Sequence, residues 1–112
     1  MAQAAEFYVR RADAGGDWDS WHSRLQAARC RRELGDSAQF LRLALEAFNQ
    51  RPSRAEPLYD LARFYRERSM YGASWLFCEA GFAIPHPGPN APYLEPYVYD
   101  AGLLEEYSIA AN

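Results

Sequence analysis

Four arginines recur at matched positions, and their side chains carry the clearest chemical potential of the sequence. Arg29 and Arg32 reappear as Arg63 and Arg66 after an offset of 34 residues, and Ala28, Glu33 and Phe48 reappear with them as Ala62, Glu67 and Phe82. A guanidinium is planar, always charged and offers paired donors, so a regularly spaced set suits a carboxylate or a phosphate. The same stretches supply a second reading. Arg29 to Glu33 and Arg63 to Glu67 are i,i+4 pairs, each worth about 0.2–0.5 kcal/mol on a helix surface. Exposed pairs of this kind are common without any ligand, so internal neutralisation is the favoured of the two readings, and both stay open.

Other constellations are weaker. His22 and His86 have no second ligand at metal spacing. Cys30 follows His22 by two helical turns, out of hydrogen-bonding reach, so a Cys-His nucleophile is not expected. Trp18, Trp21, Trp75, Tyr93, Tyr97 and Tyr99 offer flat rings for a sugar face, but aromatics in a helical chain more often pack helices together. No glycine-rich phosphate loop, G-x-S-x-G elbow or kinase signature is present. Neither a catalytic residue nor a cofactor or metal is expected. Cys30 and Cys78 lack paired spacing and read as two free, reduced thiols.

These residues must be held by helices. Gly15-Gly16 stops an alanine-rich segment over 1–14, and a helix over about 19–34 follows, with Asp17, Asp19 or Ser20 as candidate caps and Trp21, Leu25 and Ala28 at helical spacing. Gly35-Asp36 makes a turn, and 37–50 carries the wide apolar stripe of Phe40, Leu41, Ala44, Ala47 and Phe48 before Pro52 ends it. Ser53 is a candidate cap for the next helix, with Pro57 in its first turn and Leu58, Leu61, Ala62 and Tyr65 on its inner face. Ser69 then takes the turn position that Gly35 holds one unit earlier. The partner helix, 71–84, carries Trp75, Leu76, Cys78 and Phe82, and Gly81 falls where the helices of the hairpin touch. Pro85, Pro87, Pro89, Pro92 and Pro96 exclude a helix; an ordered loop pinned by Tyr93 and Leu94 is expected, then a last helix from 99 or 100 to 111.

The 34-residue grammar resembles the tetratricopeptide repeat. Its small positions match Ala28, Gly35 and Ala47 in one unit and Ala62 and Gly81 in the next, with departures at Phe40, Ser69 and Ser74. The resemblance implies an all-α, tetratricopeptide-like α-α superhelix of about five to six antiparallel helices. It implies one domain over 1–112, with units at about 21–54 and 55–88 and partial units at 1–20 and 89–112. The series EPLYDLARFYRER, AIPHP and YVYDAGLLEEYSIAA is also similar to the helical-repeat region C-terminal to the catalytic domain of some bacterial family-2 glycosyltransferases. The D-x-D motif that holds metal and nucleotide sugar in that family has no counterpart here, because Asp17 and Asp19 open a helix.

In a tetratricopeptide array the first helix of each repeat lines a concave groove. Carried onto this chain, the groove candidates are Gln26, Arg29, Arg32, Tyr59, Asp60, Arg63 and Arg66, beside His22, Glu33, Glu56 and Glu67. Equivalent arginines of stacked repeats would lie roughly 10 Å apart, forming a ladder. The expected function is a non-catalytic interaction or scaffold module, part of or associated with a glycosyltransferase. The alternatives are a segment contributing to acceptor binding and a self-associating module. Partners would be a protein or peptide, an attached catalytic domain, or a second copy through exposed end faces bearing Phe7, Tyr8, Leu103 and Leu104. Unpartnered end faces also imply a piece of something longer.

Composition narrows the field. The chain has 112 residues, 49% of them apolar, a net charge of −3 and arginine as its only basic residue besides two histidines. That balance gives no global attraction to nucleic acid or an anionic membrane. No apolar run approaches the roughly 20 residues that cross a bilayer, and no signal segment opens the chain, so a cytoplasmic location is expected.

Overall fold

The computed structural model describes residues 18–111. Among them the chain is all-α, with five helices and no strand: α1 (Trp18–Glu33), α2 (Ser37–Gln50), α3 (Glu56–Glu67), α4 (Tyr71–Phe82) and α5 (Leu103–Ala111), the last entered through a π-helical segment, Val98–Gly102. The chain divides into two compact units, Met1–Pro52 and Ser53–Asn112. The segment expected to be helical over 1–14 and the candidate cap Asp17 lie outside the described residues.

The first unit is a hairpin of α1 and α2. Trp21 and Leu25 of α1 bury against Ala47 of α2, a residue small enough for close approach, and Trp18 packs on this cluster. Trp18 meets Trp21 edge to face at 5.8 Å, and the Arg51 guanidinium lies over the Trp18 ring at 4.6 Å. Asp36 caps α2, accepting from the Gln39 amide at 3.2 Å. The helix stops at Gln50, and Arg51, the residue before Pro52, is pushed to φ −136°.

The second unit is a hairpin of α3 and α4 with the last helix packed on both. Its turn repeats that of the first. Gly35 and Ser69, which are 34 residues apart, both sit at positive φ, +77° and +58°. The Asp36 and Met70 amides bond to the carbonyls of Arg31 and Tyr65, and those of Gly35 and Ser69 to Arg32 and Arg66. This is the six-to-one, five-to-two pattern of a Schellman closure in both hairpins. Each first helix therefore stops, and each second helix starts, at the same point of the 34-residue period.

Four expectations change in this unit. The N-cap of α3 is Ala55, without a side-chain cap, and not Ser53. Helical backbone leading into the last helix begins at 96, with Pro96 in its first turn where a missing amide costs nothing. The linker before it, 83–95, is far longer than the 51–55 linker before α3, so the period stops with α4. Leu103, expected on an exposed end face, is buried, and Gly81 is the notch that admits it: a Cβ there would lie 2.8 Å from Leu103 Cδ1. Gly81 thus serves contact with the last helix, whereas Ala47 serves contact within a hairpin.

Candidate functional site

Two side-chain constellations stand out in the second unit. The first is buried at the start of α3. Arg54 and Glu56 are 1% and 0% exposed, and Arg54 donates to the carboxylate through Nε at 3.1 Å and Nη2 at 2.7 Å. Glu56 accepts two further bonds, from the Tyr99 hydroxyl at 2.7 Å and the Glu95 amide at 3.1 Å. Arg54 Nη1 donates to the Pro92 carbonyl at 2.7 Å, and the Tyr99 oxygen accepts from the Ala55 amide at 2.8 Å. Four donors on one carboxylate satisfy a charge that would otherwise be costly to bury. Main-chain groups at Pro92 and Glu95 tie the proline loop to α3; Tyr93 is exposed and at positive φ. Burial pushes the Tyr99 hydroxyl up to about 12, with Glu56 acting in the same direction.

The second constellation lies where α3 meets the last helix. Tyr59 packs edge to face on Tyr97 at 6.1 Å. Between the rings sits Gly102, where a Cβ would come within 2.8 Å of Tyr59 and 3.0 Å of Tyr97. The π-helical segment ends at this glycine and sets the register of the acids that follow. Glu105 accepts from the Tyr97 hydroxyl, and this bond holds that hydroxyl up to about 12. Glu106, buried, accepts two bonds from Arg66, at 2.6 and 3.0 Å. The Glu106 contact in turn holds the Arg66 guanidinium above its usual range. Burial likewise raises Tyr59.

The groove candidates therefore separate. Gln26, Arg29 and Arg32 are half-buried on α1 of the first unit, where Arg32 lies 3.8 Å from Glu33 and its guanidinium 5.7 Å from the Phe40 ring centre. Tyr59, Asp60, Arg63 and Arg66 belong to the second. Asp60 is buried. Arg66 is engaged by Glu106, a partner 40 residues away, so two of its donors are committed. Arg63 remains exposed and faces Glu67 at 3.5 Å, the expected i,i+4 pair. Of the two arginines on α3, Arg63 is thus the more exposed and Arg66 the one held by a distant partner.

Sequence reasoning missed the Arg54–Glu56 pair, reading Glu56 as lining the groove. The local hint was a pair of opposite charges flanking a small residue at a helix start; the partners that make it a buried hub lie 38 to 44 residues on. Both thiols are free, and burial raises Cys78 to about 11. Among the described residues no group of three or more His, Cys, Asp or Glu side chains is arranged to hold a metal, and no helix is long and apolar enough to cross a membrane. Comparison of the chain with protein-family models, with curated proteins and with solved structures returns no match in any of the three.

Proposed function

We propose that the chain is a non-catalytic interaction module of the tetratricopeptide type, whose helical hairpins display a surface to a protein or peptide partner. One observation carries this reading: two hairpins closed by the same turn at a 34-residue interval, with an arginine at the equivalent position of each first helix, Arg29 and Arg63. Helices fixed by short turns and by part-buried pairs such as Arg66 with Glu106 lose little further freedom when a partner docks, which favours recognition without reorganisation. The exposed head of Arg63 beside Tyr59 offers charge-assisted bonding to a carboxylate next to an aromatic surface. The sequence resemblance to regions beside glycosyltransferase catalytic domains supports a partner, attached or separate, that carries nucleotide-sugar chemistry.

The test is selection of peptides from a displayed library on the purified chain. Enriched sequences are expected to contain carboxylates and to lose affinity about tenfold with Arg63→Glu, a loss of roughly 1.4 kcal/mol, while the melting midpoint stays within a degree or so of the parent. No enrichment over a scrambled helical control, or enriched peptides indifferent to both Arg29→Glu and Arg63→Glu, would sink the reading.

A further inference from the structure

The outer face of α4 and α5 carries an aromatic surface left open among the described residues. Tyr107 of α5 stacks on Trp75 at 6.1 Å and meets Phe82 edge to face at 5.3 Å. Trp75 and Phe82 are nonetheless 39% and 46% exposed, and Leu76 and Leu104 on the same two helices 63% and 58%. Large side chains of this kind, contiguous across two helices, mark a docking surface far more often than isolated exposed residues do.

Charge says what would cover it. Glu79 follows Trp75 by four residues and precedes Phe82 by three, so it stands on the same stripe of α4. It is exposed and has no cationic partner among the described residues. All twelve arginines lie at or before Arg68, whereas Glu79, Glu95, Asp100, Glu105 and Glu106 lie beyond it, with His86 the one titratable base in that stretch. Neither α4 nor α5 therefore carries an arginine or lysine of its own to set against Glu79. A second copy presenting the same face would bring no arginine or lysine of α4 or α5 to Glu79 either.

We propose that the α4–α5 face docks an amphipathic helix of a partner protein, with large apolar residues at i, i+4 and i+7 and lysine or arginine along the flank that meets Glu79. Helix spacing matches the site: Tyr107 between Trp75 and Phe82 forms a surface about two turns long, the length over which such anchors repeat. The basic flank selects orientation and partner; the aromatic surface supplies the affinity. This extends the interaction-module reading to a second surface, remote in sequence from the arginines of α1 and α3.

The experiment uses the full chain and two synthetic peptides of about four helical turns. Both carry Leu and Phe anchors; one has lysine and arginine on the flank, and the other has glutamate at those positions. Anisotropy of the labelled peptides is read against protein concentration, and the mass of the protein alone is followed by light scattering. The basic peptide is expected to bind at least tenfold more tightly than the acidic one, with affinity falling as salt rises. Glu79→Lys reverses that preference. Leu76→Gln, at a site too exposed to disturb folding, and Phe82→Ala each weaken binding several-fold. Arg63→Glu leaves it unchanged, so this proposal and the groove reading fail separately. Equal binding of the two peptides, binding indifferent to Glu79→Lys and Leu76→Gln together, no binding of either, or a monomer–dimer equilibrium abolished by Leu76→Gln would overturn the proposal.

Discussion

Arg54 and Glu56 are opposite charges withdrawn from water, and their contribution depends on every partner being present. A carboxylate with four donors and a guanidinium with three bonds leave little charge uncompensated. Glu56→Gln keeps the shape but strands Arg54, so it is expected to destabilise the second unit by about 3–5 kcal/mol, read from urea unfolding followed by circular dichroism. Adding Arg54→Met should recover much of that loss, because the uncompensated cation is then gone. Alkali probes the same unit. Tyr99 is raised from its ordinary 10.0 to about 12 and Cys78 from 9.0 to about 11, each with burial as the largest cause. A raised folded value means that the unfolded chain gives up its proton first. The stability these groups contribute is full below pH 9 and is lost progressively as pH climbs through about 11 and 12. Unfolding midpoints measured from pH 8 to 12 should fall across that window, with a shallower fall in Cys78→Ala between 9 and 11.

Elements are set by their ends. The hairpin turns use one closure twice, but only the first has glycine at the left-handed position; Ser69 adopts φ +58° with a side chain in place. Left-handed backbone costs a non-glycine residue about 1–2 kcal/mol, offset in part by the greater freedom glycine brings to the unfolded chain. Ser69→Gly is therefore expected to raise the stability of the second hairpin by up to about 1 kcal/mol, and Gly35→Ala, with open space around it but φ +77°, to lower that of the first by a similar amount. Both are readable as opposite shifts in the denaturation midpoint. Equal responses at the two sites would contradict the shared turn. The last helix follows another logic: a π-helical segment places Gly102 against Tyr59 and Tyr97, and Leu103 against Gly81.

At the scale of the whole molecule the chain is two compact units joined at Pro52 and Ser53. Within the second, Ala55, Val98 and Leu103 form a cluster with Tyr59, Ile84 and Tyr99, and the Arg54–Glu56 and Arg66–Glu106 pairs each join residues of this unit. A fragment spanning 53–112 is expected to fold by itself, with a helical circular-dichroism spectrum and a cooperative melt. A fragment that melts without a transition would show that the unit depends on 1–52.

The sequence by itself determined the helices, their turns and the period. Apolar spacing, Gly35, Pro52 and the proline run act through neighbours only a few residues away, so the positions of α1 to α4 were readable to within two or three residues. The i,i+4 pair of Arg63 with Glu67 was readable for the same reason. Tertiary structure alone decided which charges stay open. Arg66 lies on the same type of helix as Arg63, yet it is committed because Glu106, 40 residues on, arrives beside it. Leu103 is buried and Leu104 exposed because Gly81 leaves a notch for one of them. Glu56 became the hub of a buried network, and no longer a groove residue, when the loop from Pro92 to Glu95 and Tyr99 folded back over it. Periodicity fixes which residues share a face; only the packing of distant segments decides what that face meets.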